Sequence, residues 1–282
     1  MQTKLGTQII GDVFKKLNPV DVEQELLALK SILCPIPYLG VTVGVVRVYP
    51  LWNQLGDAGN ANLYGYDGAA KITDIGIKSN HISQMVKDTF DVNFLKLCRI
   101  HELTKGAFLL PHRDYLDGCQ QLEETYTRIH IPLKTQEKCW LAYEEELYHM
   151  GFGEIYLHDG SFVHSAGNFS SESRFHLILD FDPNIPLKDL FKDKTVLKFK
   201  EAKVCDREPF SEGDLDDILN LAVKVINSYN FRDIFVLLSK IHFQQKVSCS
   251  LTFDWLQKVV EQTGNEQLIE MSKKTKQGYI GL

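Results

Sequence analysis

Residues 126–133 and 173–181 each alternate apolar and polar side chains so regularly that both segments predict a β-strand with one buried face. The apolar side of each segment is aliphatic or aromatic throughout. A polar side that faced only solvent would carry mostly Lys, Glu and Thr, whereas these two carry arginine and histidine. The residues concerned are Arg128, His130, Arg174 and His176. The paired faces therefore indicate a polar cavity that can hold carboxylates.

A His-x-Asp pair, His112 and Asp114, precedes these strands, and a separate histidine, His164, lies between them. On an extended strand, residues i and i+2 project from the same face, so both members of the pair can reach one ion. His164 must then arrive from a second strand. Two imidazoles and one carboxylate on one face of an octahedron are the ligands of non-haem Fe(II) centres, which keep three positions open. We therefore predict that His112, Asp114 and His164 bind Fe(II) and form the catalytic centre.

The region that contains these residues resembles the L-proline cis-4-hydroxylases. Those are non-haem Fe(II), 2-oxoglutarate-dependent dioxygenases of the wider aspartyl/asparaginyl β-hydroxylase family. The resemblance covers roughly the last two thirds of the chain and is thin over the N-terminal third. The matching segments are residues 111–115, 128–130, 137–139, 149–151, 153–155, 164–167, 174–177, Asp180, 238–243 and 246–247.

The resemblance implies a role for each polar residue of the predicted cavity. Arg174 is expected to bind the distal carboxylate of 2-oxoglutarate, with His130 placing the end near iron. Arg128 is assigned to co-substrate and substrate binding, and Arg99 and Tyr115 to the substrate. From the residue pattern alone, a salt bridge at the rim is the simpler interpretation of Arg99, and Tyr115 fits a solvated turn equally well. Replacing Arg128 with alanine is expected to abolish substrate binding and to leave iron binding intact.

The activity that the resemblance implies is hydroxylation of a free amino acid, with release of succinate and carbon dioxide. L-Proline, attacked at C4 in the cis sense, is the first candidate substrate, and L-pipecolate is the second. Fe(II), 2-oxoglutarate and dioxygen are the expected cofactors, with ascorbate as a supporting reductant. The alternatives left open are another free amino acid, a peptide or carrier-bound Asp/Asn-type residue, and a metal-binding jelly roll without catalysis. Asp114 disfavours a halogenase, because related halogenases replace this carboxylate.

Composition and charge exclude several other classes of protein. The net charge of −6 and the lack of a basic stripe argue against nucleic-acid binding. The longest apolar run, residues 41–48, is interrupted by Arg47 and is too short to span a bilayer. The start of the chain lacks the apolar segment of a signal peptide, and the six cysteines contain no Cys-x-x-Cys pair. We therefore predict a cytoplasmic protein with reduced thiols and a small-molecule partner, and a homodimer is compatible with this sequence.

The remaining periodicity predicts short strands first and helices afterwards. A buried stripe of the helix after Ser211 is expected to include Ile218, and His242 is expected to be a core histidine with satisfied ring nitrogens. The further strands are expected at residues 8–10, 41–49, 95–103 and 196–203, and the helices at 19–33, 81–90, 211–226, 231–243, 252–263 and 265–274.

This order of elements predicts an α+β fold with a mainly β core. Short strands around an iron triad are typical of a double-stranded β-helix, the jelly-roll or cupin-like architecture. We expect N-terminal helices to flank it, with residues 1–204 as the dioxygenase domain and 205–282 as a C-terminal helical subdomain. The Gly/Asn-rich stretch 52–68 is interpreted either as a surface loop or as a cover for the mouth of the site.

Overall fold

The computed structural model describes residues 7–32, 36–38, 40–61, 68–114 and 126–281, which form a mixed α/β fold with a β-rich core. The strands are β1 (Gln8–Asp12), β2 (Ile36–Pro37), β3 (Thr42–Val43), β4 (Val46–Asn53), β5 (Lys71–Ile72), β6 (Leu95–Leu103), β7 (Phe108–His112), β8 (Thr127–Lys134), β9 (Cys139–Tyr143), β10 (Glu146–Tyr148), β11 (Glu154–His158), β12 (His164–Asn168), β13 (Arg174–Phe181), β14 (Leu197–Glu201), β15 (Glu208–Pro209) and β16 (Gln245–Lys246). The α-helices are α1 (Pro19–Lys30), α2 (Asp74–Lys78), α3 (Asn80–Thr89), α4 (Glu212–Val225), α5 (Phe231–Leu238), α6 (Ile241–Gln244), α7 (Leu251–Thr263) and α8 (Glu266–Ile280).

Two antiparallel sheets make up the β core of the described residues. The larger has the order β14-β1-β11-β8-β13-β6-β4-β2, with β5 paired to β4, and the smaller has the order β10-β9-β12-β7-β3. The apolar side chains of β8 and β13 pack in one cluster with those of α1 and α3, as the alternation predicted. That face is covered by helices. The opposite, polar face of the large sheet is directed towards the small sheet.

The C-terminal helices pack in a second apolar cluster together with Phe108 and Leu110 of β7. Within α4, Leu219 and Ala222 are buried against this cluster, but Ile218 is 43% exposed, so its predicted burial is wrong. Helix α7 contacts α4, and Leu219 shares an apolar cluster with α7 residues, whereas Ile218 faces solvent. The boundary predicted after residue 204 stays a prediction.

Side-chain caps define where α1 and α4 begin, as the sequence predicted. The Asn18 side chain accepts a hydrogen bond from Val20 N at 2.9 Å, and Ser211 Oγ accepts one from Asp214 N at 3.3 Å. Gly264 ends α7 in the left-handed conformation with φ of 65°. The last helix, however, continues to Ile280, well past its predicted end at residue 274.

The single strand predicted over residues 41–49 is wrong, because it is divided at Gly44. This glycine has φ of 80°, and a Cβ added to it would lie 3.0 Å from Ala107 Cα. The break passes the chain from β3 in the small sheet to β4 in the large one.

The stretch that begins at residue 52 is also corrected: Trp52 and Asn53 are buried residues of β4. The loop therefore starts later, residues 62–67 lie outside the described ranges, and its role as a cover stays a prediction.

The single helix predicted over residues 231–243 is divided into α5 and α6. The Ser239 hydroxyl donates to the Phe235 carbonyl at 2.7 Å, a local side-chain bond that competes with helix continuation. A turn at Ser239 and Lys240 follows before the chain becomes helical again at Ile241. The periodicity survives across the turn, which explains why the break was not visible in the sequence.

The described cysteines have free thiols, as predicted: Cys98, Cys139, Cys205 and Cys249 are all unpaired. Cys34 and Cys119 lie outside the described ranges. Among the helices of these ranges, none has both the length and the apolar character needed to cross a membrane.

His242 is a core histidine, but neither of its ring nitrogens has a hydrogen-bond partner among the described residues, so its predicted satisfaction is wrong. Burial, together with the nearby positive charge of Arg207, lowers the pKa of His242 to about 3. The unfolded chain therefore takes up a proton near its ordinary pKa of 6.5, while the folded chain does not. As pH falls below 6.5, this residue must progressively destabilise the fold.

We expect His242→Leu to reduce the acid sensitivity of the fold. The replacement has a similar size and no titratable group, so it removes a stability loss of about 2 kcal/mol between pH 6.5 and pH 5. Urea unfolding at pH 7, 6 and 5 measures the difference. The other titrating groups cancel in the comparison of variant and wild type, and parallel pH profiles of the two proteins would contradict the prediction.

Candidate active site

A cavity lies between the two sheets, lined by the polar faces of β6, β8, β11 and β13 and by residues of β7, β9 and β12. The strand register places the inward side chains in rows across the large sheet. Arg128 lies opposite Asp180 in one row, and His101 lies opposite His176 in another. The arginine and histidine faces that alternation indicated therefore share one enclosed space.

His112, Asp114 and His164 converge at one end of this cavity. His112 ends β7, His164 begins β12, and the two residues are direct cross-strand partners. Asp114 lies just beyond β7 rather than within it. Its Oδ1 is 3.7 Å from His112 Nε2, and its Oδ2 is 3.8 Å from His164 Nε2. The potential ligand atoms of the three residues all lie within 4.8 Å of one another, a spacing at which one metal ion can contact all three.

The two imidazoles are oriented for coordination through Nε2. His112 Nδ1 lies 2.8 Å from the Leu110 carbonyl, and His164 Nδ1 lies 2.9 Å from that of Phe162. Each Nδ1 therefore carries the proton, and the Nε2 lone pair faces the cavity. Burial is the main reason that the pKa of both histidines falls to about 4. Both rings are neutral at pH 7, as metal binding requires.

A buried network of charges joins the metal-ligand group to the large sheet. Arg128 Nε donates to Asp180 Oδ1 at 2.6 Å, and Arg99 donates to Asp180 Oδ2. Arg128 also donates from Nη1 to Asp114 Oδ2. Burial alone would raise the pKa of Asp180 and of Asp114, but the guanidinium groups hold both below their usual value. Arg99 and Arg128 thus face inward as predicted, and Asp180 already binds both of them.

The contact between Arg128 and Asp114 changes one expectation. Removing Arg128 would unpair a carboxylate of the predicted metal site as well as a predicted substrate contact. We therefore no longer expect iron binding to survive intact in Arg128→Ala. Tyr115, the other residue assigned to the substrate, lies outside the described ranges.

Arg174 occupies the other end of the cavity and is 5% exposed. Its Nε and Nη2 lie 2.8 and 2.9 Å from the two ring nitrogens of His176. Within the described part of the chain, no carboxylate forms an ion pair with it. Burial lowers the pKa of Arg174 to about 10, so the side chain is still a cation at pH 7. A buried cation without a counter-charge is costly, and an anionic ligand would offset that cost.

His130 lies between the two ends of the cavity. Both of its ring nitrogens are buried and lack a hydrogen-bond partner among the described residues. Its ring stacks on that of His158, with the centroids 4.5 Å apart. Burial and the neighbouring histidines hold the pKa of His130 well below its ordinary value. A neutral, unpartnered imidazole at this position can bind a polar ligand atom.

Sequence reasoning missed several residues that line the same cavity or contact its lining. His158 is not among the predicted site residues, although it follows Tyr156 at a two-residue interval on β11 and so faces inward with it. Tyr143, on β9, contacts His158 through its hydroxyl. Tyr38 packs against His101 with ring centroids 5.1 Å apart. Alternation along β11 was the available signal for His158, whereas Tyr38 follows a two-residue strand with no usable periodicity.

Gly160 is in tight contact with the predicted carboxylate ligand. Its carbonyl accepts from Asp114 N at 2.8 Å, and a Cβ added to it would lie 2.4 Å from Asp114 Oδ2 and 2.8 Å from Asp114 Cβ. We expect Gly160→Ala to displace Asp114 and to weaken metal binding by about tenfold or more. Titration of the metal-free protein with Co(II) measures this. Gly213→Ala is the matched control, because a Cβ there meets nothing within 4 Å; equal affinity in the two variants would refute the prediction.

Two known protein families match consecutive parts of the chain. Residues 60–183 match the family described as aspartyl/asparaginyl beta-hydroxylase, and residues 187–281 match the family described as L-proline 3-hydroxylase, C-terminal. The first match contains the three converging residues and the cavity arginines. The second contains the C-terminal helices.

Individual proteins are similar over nearly the full length. An L-proline cis-4-hydroxylase of Rhizobium meliloti (strain 1021) is 26% identical over 98% of this chain and 96% of its own length. L-proline cis-3-hydroxylase 2 of Streptomyces sp. is 34% identical over 90% of each chain. Among solved structures, a 2OG-Fe(II) oxygenase family oxidoreductase from Burkholderia pseudomallei is 12% identical, with a TM-score of 0.42, over 64% of this chain and 86% of that one.

Proposed function

This chain belongs to the family of L-proline hydroxylases, and from that premise we propose how its cavity carries out the reaction. The protein is an Fe(II)- and 2-oxoglutarate-dependent hydroxylase, and its substrate is free L-proline. 2-Oxoglutarate is consumed to succinate and carbon dioxide as the ring is hydroxylated. The observation that carries the proposal is the cavity itself, which joins a His-Asp-His group at one end to an unneutralised buried arginine at the other.

His112, Asp114 and His164 are the residues proposed to hold the iron. Two neutral imidazole nitrogens and one carboxylate oxygen suit Fe(II), and Nδ1 of each histidine is already bound to a backbone carbonyl. When bound, the iron activates dioxygen for attack on an unactivated carbon. The protein's own contribution is to hold the ligands in place, to bind the two organic molecules and to keep the site apart from bulk water.

Arg174 is proposed to bind the distal carboxylate of 2-oxoglutarate. Its planar fork can hold both oxygens of a carboxylate, and His176 fixes the orientation of that fork. Leu103 lies beside Arg174 across the β6–β13 pair and, with Leu141, lines the cavity near this end. These apolar side chains suit the methylene groups of the co-substrate. His130 then lies in position to bind a polar atom closer to the iron.

Arg99 and Arg128 are proposed to bind the carboxylate of L-proline. Both are paired with Asp180, so the substrate carboxylate must share their donors with that residue. The two arginines face Asp180 and Asp114, and Asp114 is also the proposed ligand of a divalent metal ion, so the group with its metal carries net positive charge. A free α-carboxylate supplies the missing negative charge. An internal residue of a peptide has none, and this disfavours the peptide alternative.

The position of attack has two candidates. The cis-4 outcome expected from the sequence is supported by the Rhizobium relative. A cis-3 outcome is favoured by the higher identity to the Streptomyces cis-3-hydroxylase and by the match of residues 187–281. We retain cis-4 as the first candidate and cis-3 as the second.

Incubation with L-proline, Fe(II), ascorbate and 2-oxoglutarate tests both candidates. We expect a product heavier by one oxygen atom, formed in step with succinate, and NMR of that product assigns C3 or C4. L-Pipecolate and an acetylated, amidated proline are the comparison substrates. If proline gives no product while another free amino acid is turned over, carboxylate binding by Arg99 and Arg128 stands and proline is rejected as the substrate. Turnover of the blocked proline alone would reject both.

The same proposal includes the detailed architecture, the location in the cell, the role of ascorbate and the oligomeric state. The two facing sheets support a double-stranded β-helix, flanked by α1 and α3 and followed by a C-terminal helical subdomain. The free thiols of the described cysteines support a cytoplasmic location. A role for ascorbate and a homodimeric state stay predictions.

A further inference from the structure

Asp114 lies among more groups than a metal ligand requires. Its Oδ1 faces His112, while its Oδ2 faces Arg128, His164 and a third histidine, His158. His158 Nε2 lies 3.7 Å from Asp114 Oδ2, the same distance that separates His112 Nε2 from Oδ1. Nothing in the proposed function assigns a task to His158, although it is only 4% exposed and lines the cavity.

Contacts on three sides fix the position of the His158 ring. It stacks on His130, and it meets His164 edge to face with a centroid distance of 4.7 Å. Its Nδ1 contacts the hydroxyl of Tyr143, which is 3% exposed. Since β11 and β8 are neighbours and His158 lies directly opposite Arg128, these two residues approach Asp114 from adjacent strands.

Tyr143 determines which nitrogen of His158 carries the proton. Its hydroxyl is in contact with His158 Nδ1, and a phenol O–H can donate to this nitrogen. A phenol has an ordinary pKa of about 10, so Tyr143 keeps its proton at pH 7. A neutral imidazole that accepts at Nδ1 carries its hydrogen at Nε2, the nitrogen that faces Asp114.

We propose that His158, oriented by Tyr143, is a positioning residue that presents an N–H donor to Asp114 and holds this carboxylate for metal binding. The inference rests on the proposed metal site at His112, Asp114 and His164. The separation of 3.7 Å is longer than a hydrogen bond, and a shift of under about 1 Å by either side chain would close it. Hydrogen bonds to a ligating carboxylate are the kind of support whose loss weakens metal binding by about 10–100-fold.

Arg128 and His158 support Asp114 in different ways, because the first is charged and the second is neutral. Arg128 is a permanent cation that pairs with Asp180 as well as with Asp114, so it offers Asp114 a charge partner. His158 is neutral, so it directs the carboxylate without competing for its charge. His158 is a support rather than a fourth ligand, because the described residues that form a metal-sized group are His112, Asp114 and His164 alone.

Titration of the metal-free protein with Co(II), followed by calorimetry, tests the inference without relying on turnover. We expect His158→Phe to weaken Co(II) binding by about 10–100-fold. His158→Gln should recover most of this affinity, because its amide N–H can take the place of Nε2–H. Tyr143→Phe should weaken binding by a few fold, because the imidazole proton is no longer directed to Nε2. Thermal melting of each metal-free variant reports on folding.

Two control variants remove similar side chains that do not contact Asp114. His149→Phe replaces a partly buried histidine that contacts the Cys139 carbonyl, and Tyr148→Phe removes a buried phenol that contacts Glu146. Both should bind Co(II) as the wild type does.

Equal affinity of His158→Phe and wild type would overturn the inference and leave the metal site standing. Loss of binding as complete as in His164→Ala, with no recovery in His158→Gln, would make His158 a ligand and overturn it as well. If His158→Phe does not fold, an unchanged affinity in Tyr143→Phe overturns the inference. Wild-type protein that fails to bind Co(II) would reject the proposed metal site and the inference with it.

Discussion

Replacing His164 with alanine is expected to abolish metal binding and turnover together. The substitution removes one of the three groups whose ligand atoms lie within 4.8 Å of one another. We expect the affinity for Co(II) or Fe(II) to fall by more than ~100-fold, beyond the range for residues that only support a ligand. Calorimetric titration measures the affinity, and succinate release measures turnover. The same result is expected for His112→Ala.

The control for this prediction must separate loss of the ligand from loss of the fold. His164 lies in β12 and is 4% exposed, so its removal leaves a small cavity between paired strands. Melting of the metal-free proteins shows whether the variant is folded. His81→Ala, which removes an exposed histidine of α3 that contacts Glu25, should retain metal and activity. A folded His164→Ala protein that turned over at the wild-type rate would show that the iron assignment is wrong.

Replacing Arg174 with lysine is expected to raise the KM for 2-oxoglutarate by about tenfold or more. Lysine keeps the charge but loses the planar fork and the two contacts with His176. A charge-assisted hydrogen bond contributes about 1.5–3 kcal/mol, and losing one costs at least about a factor of ten in affinity. Metal affinity and the KM for L-proline should change little, because Arg174 contacts neither the His-Asp-His group nor Asp180.

A second substitution at the same position tests the cause. Arg174→Met removes the buried charge and keeps an extended apolar side chain. Because the cation has no carboxylate partner among the described residues, the metal-free variant should be at least as stable as the wild type while binding 2-oxoglutarate poorly. Arg232→Lys, on the exposed side of α5, is the control for the arginine-to-lysine change. An unchanged KM for 2-oxoglutarate in Arg174→Lys would reject the assignment.

Local pattern was sufficient for much of the fold and for the chemistry of the site. A strand with one buried face repeats every two residues, so the alternation around Arg128 and Arg174 could be recognised without neighbours. Helix ends were equally visible where a side chain caps its own backbone, as at Asn18 and Ser211. The residue types of the triad pointed to Fe(II) because coordination chemistry restricts which side chains can bind it.

The errors arose where a residue's environment depends on a distant segment. The break at Gly44 exists because Ala107 approaches its backbone, and nothing near Gly44 in sequence signals that contact. The exposure of Ile218 depends on the side from which α7 packs. The ring nitrogens of His242 lack partners because of the core that surrounds them.

By itself, the sequence determined that β8 and β13 carry cavity side chains, which of their faces points inward and which residue types form the proposed metal site. Periodicity, capping and ligand chemistry are properties of short segments, so they can be inferred from one chain. Only the tertiary structure decided that Asp180 pairs with both Arg99 and Arg128, that Arg174 remains without a carboxylate, and that Tyr143 and His158 stand behind Asp114. These partners come from strands far apart in the chain, and strand order and register alone bring them within contact distance.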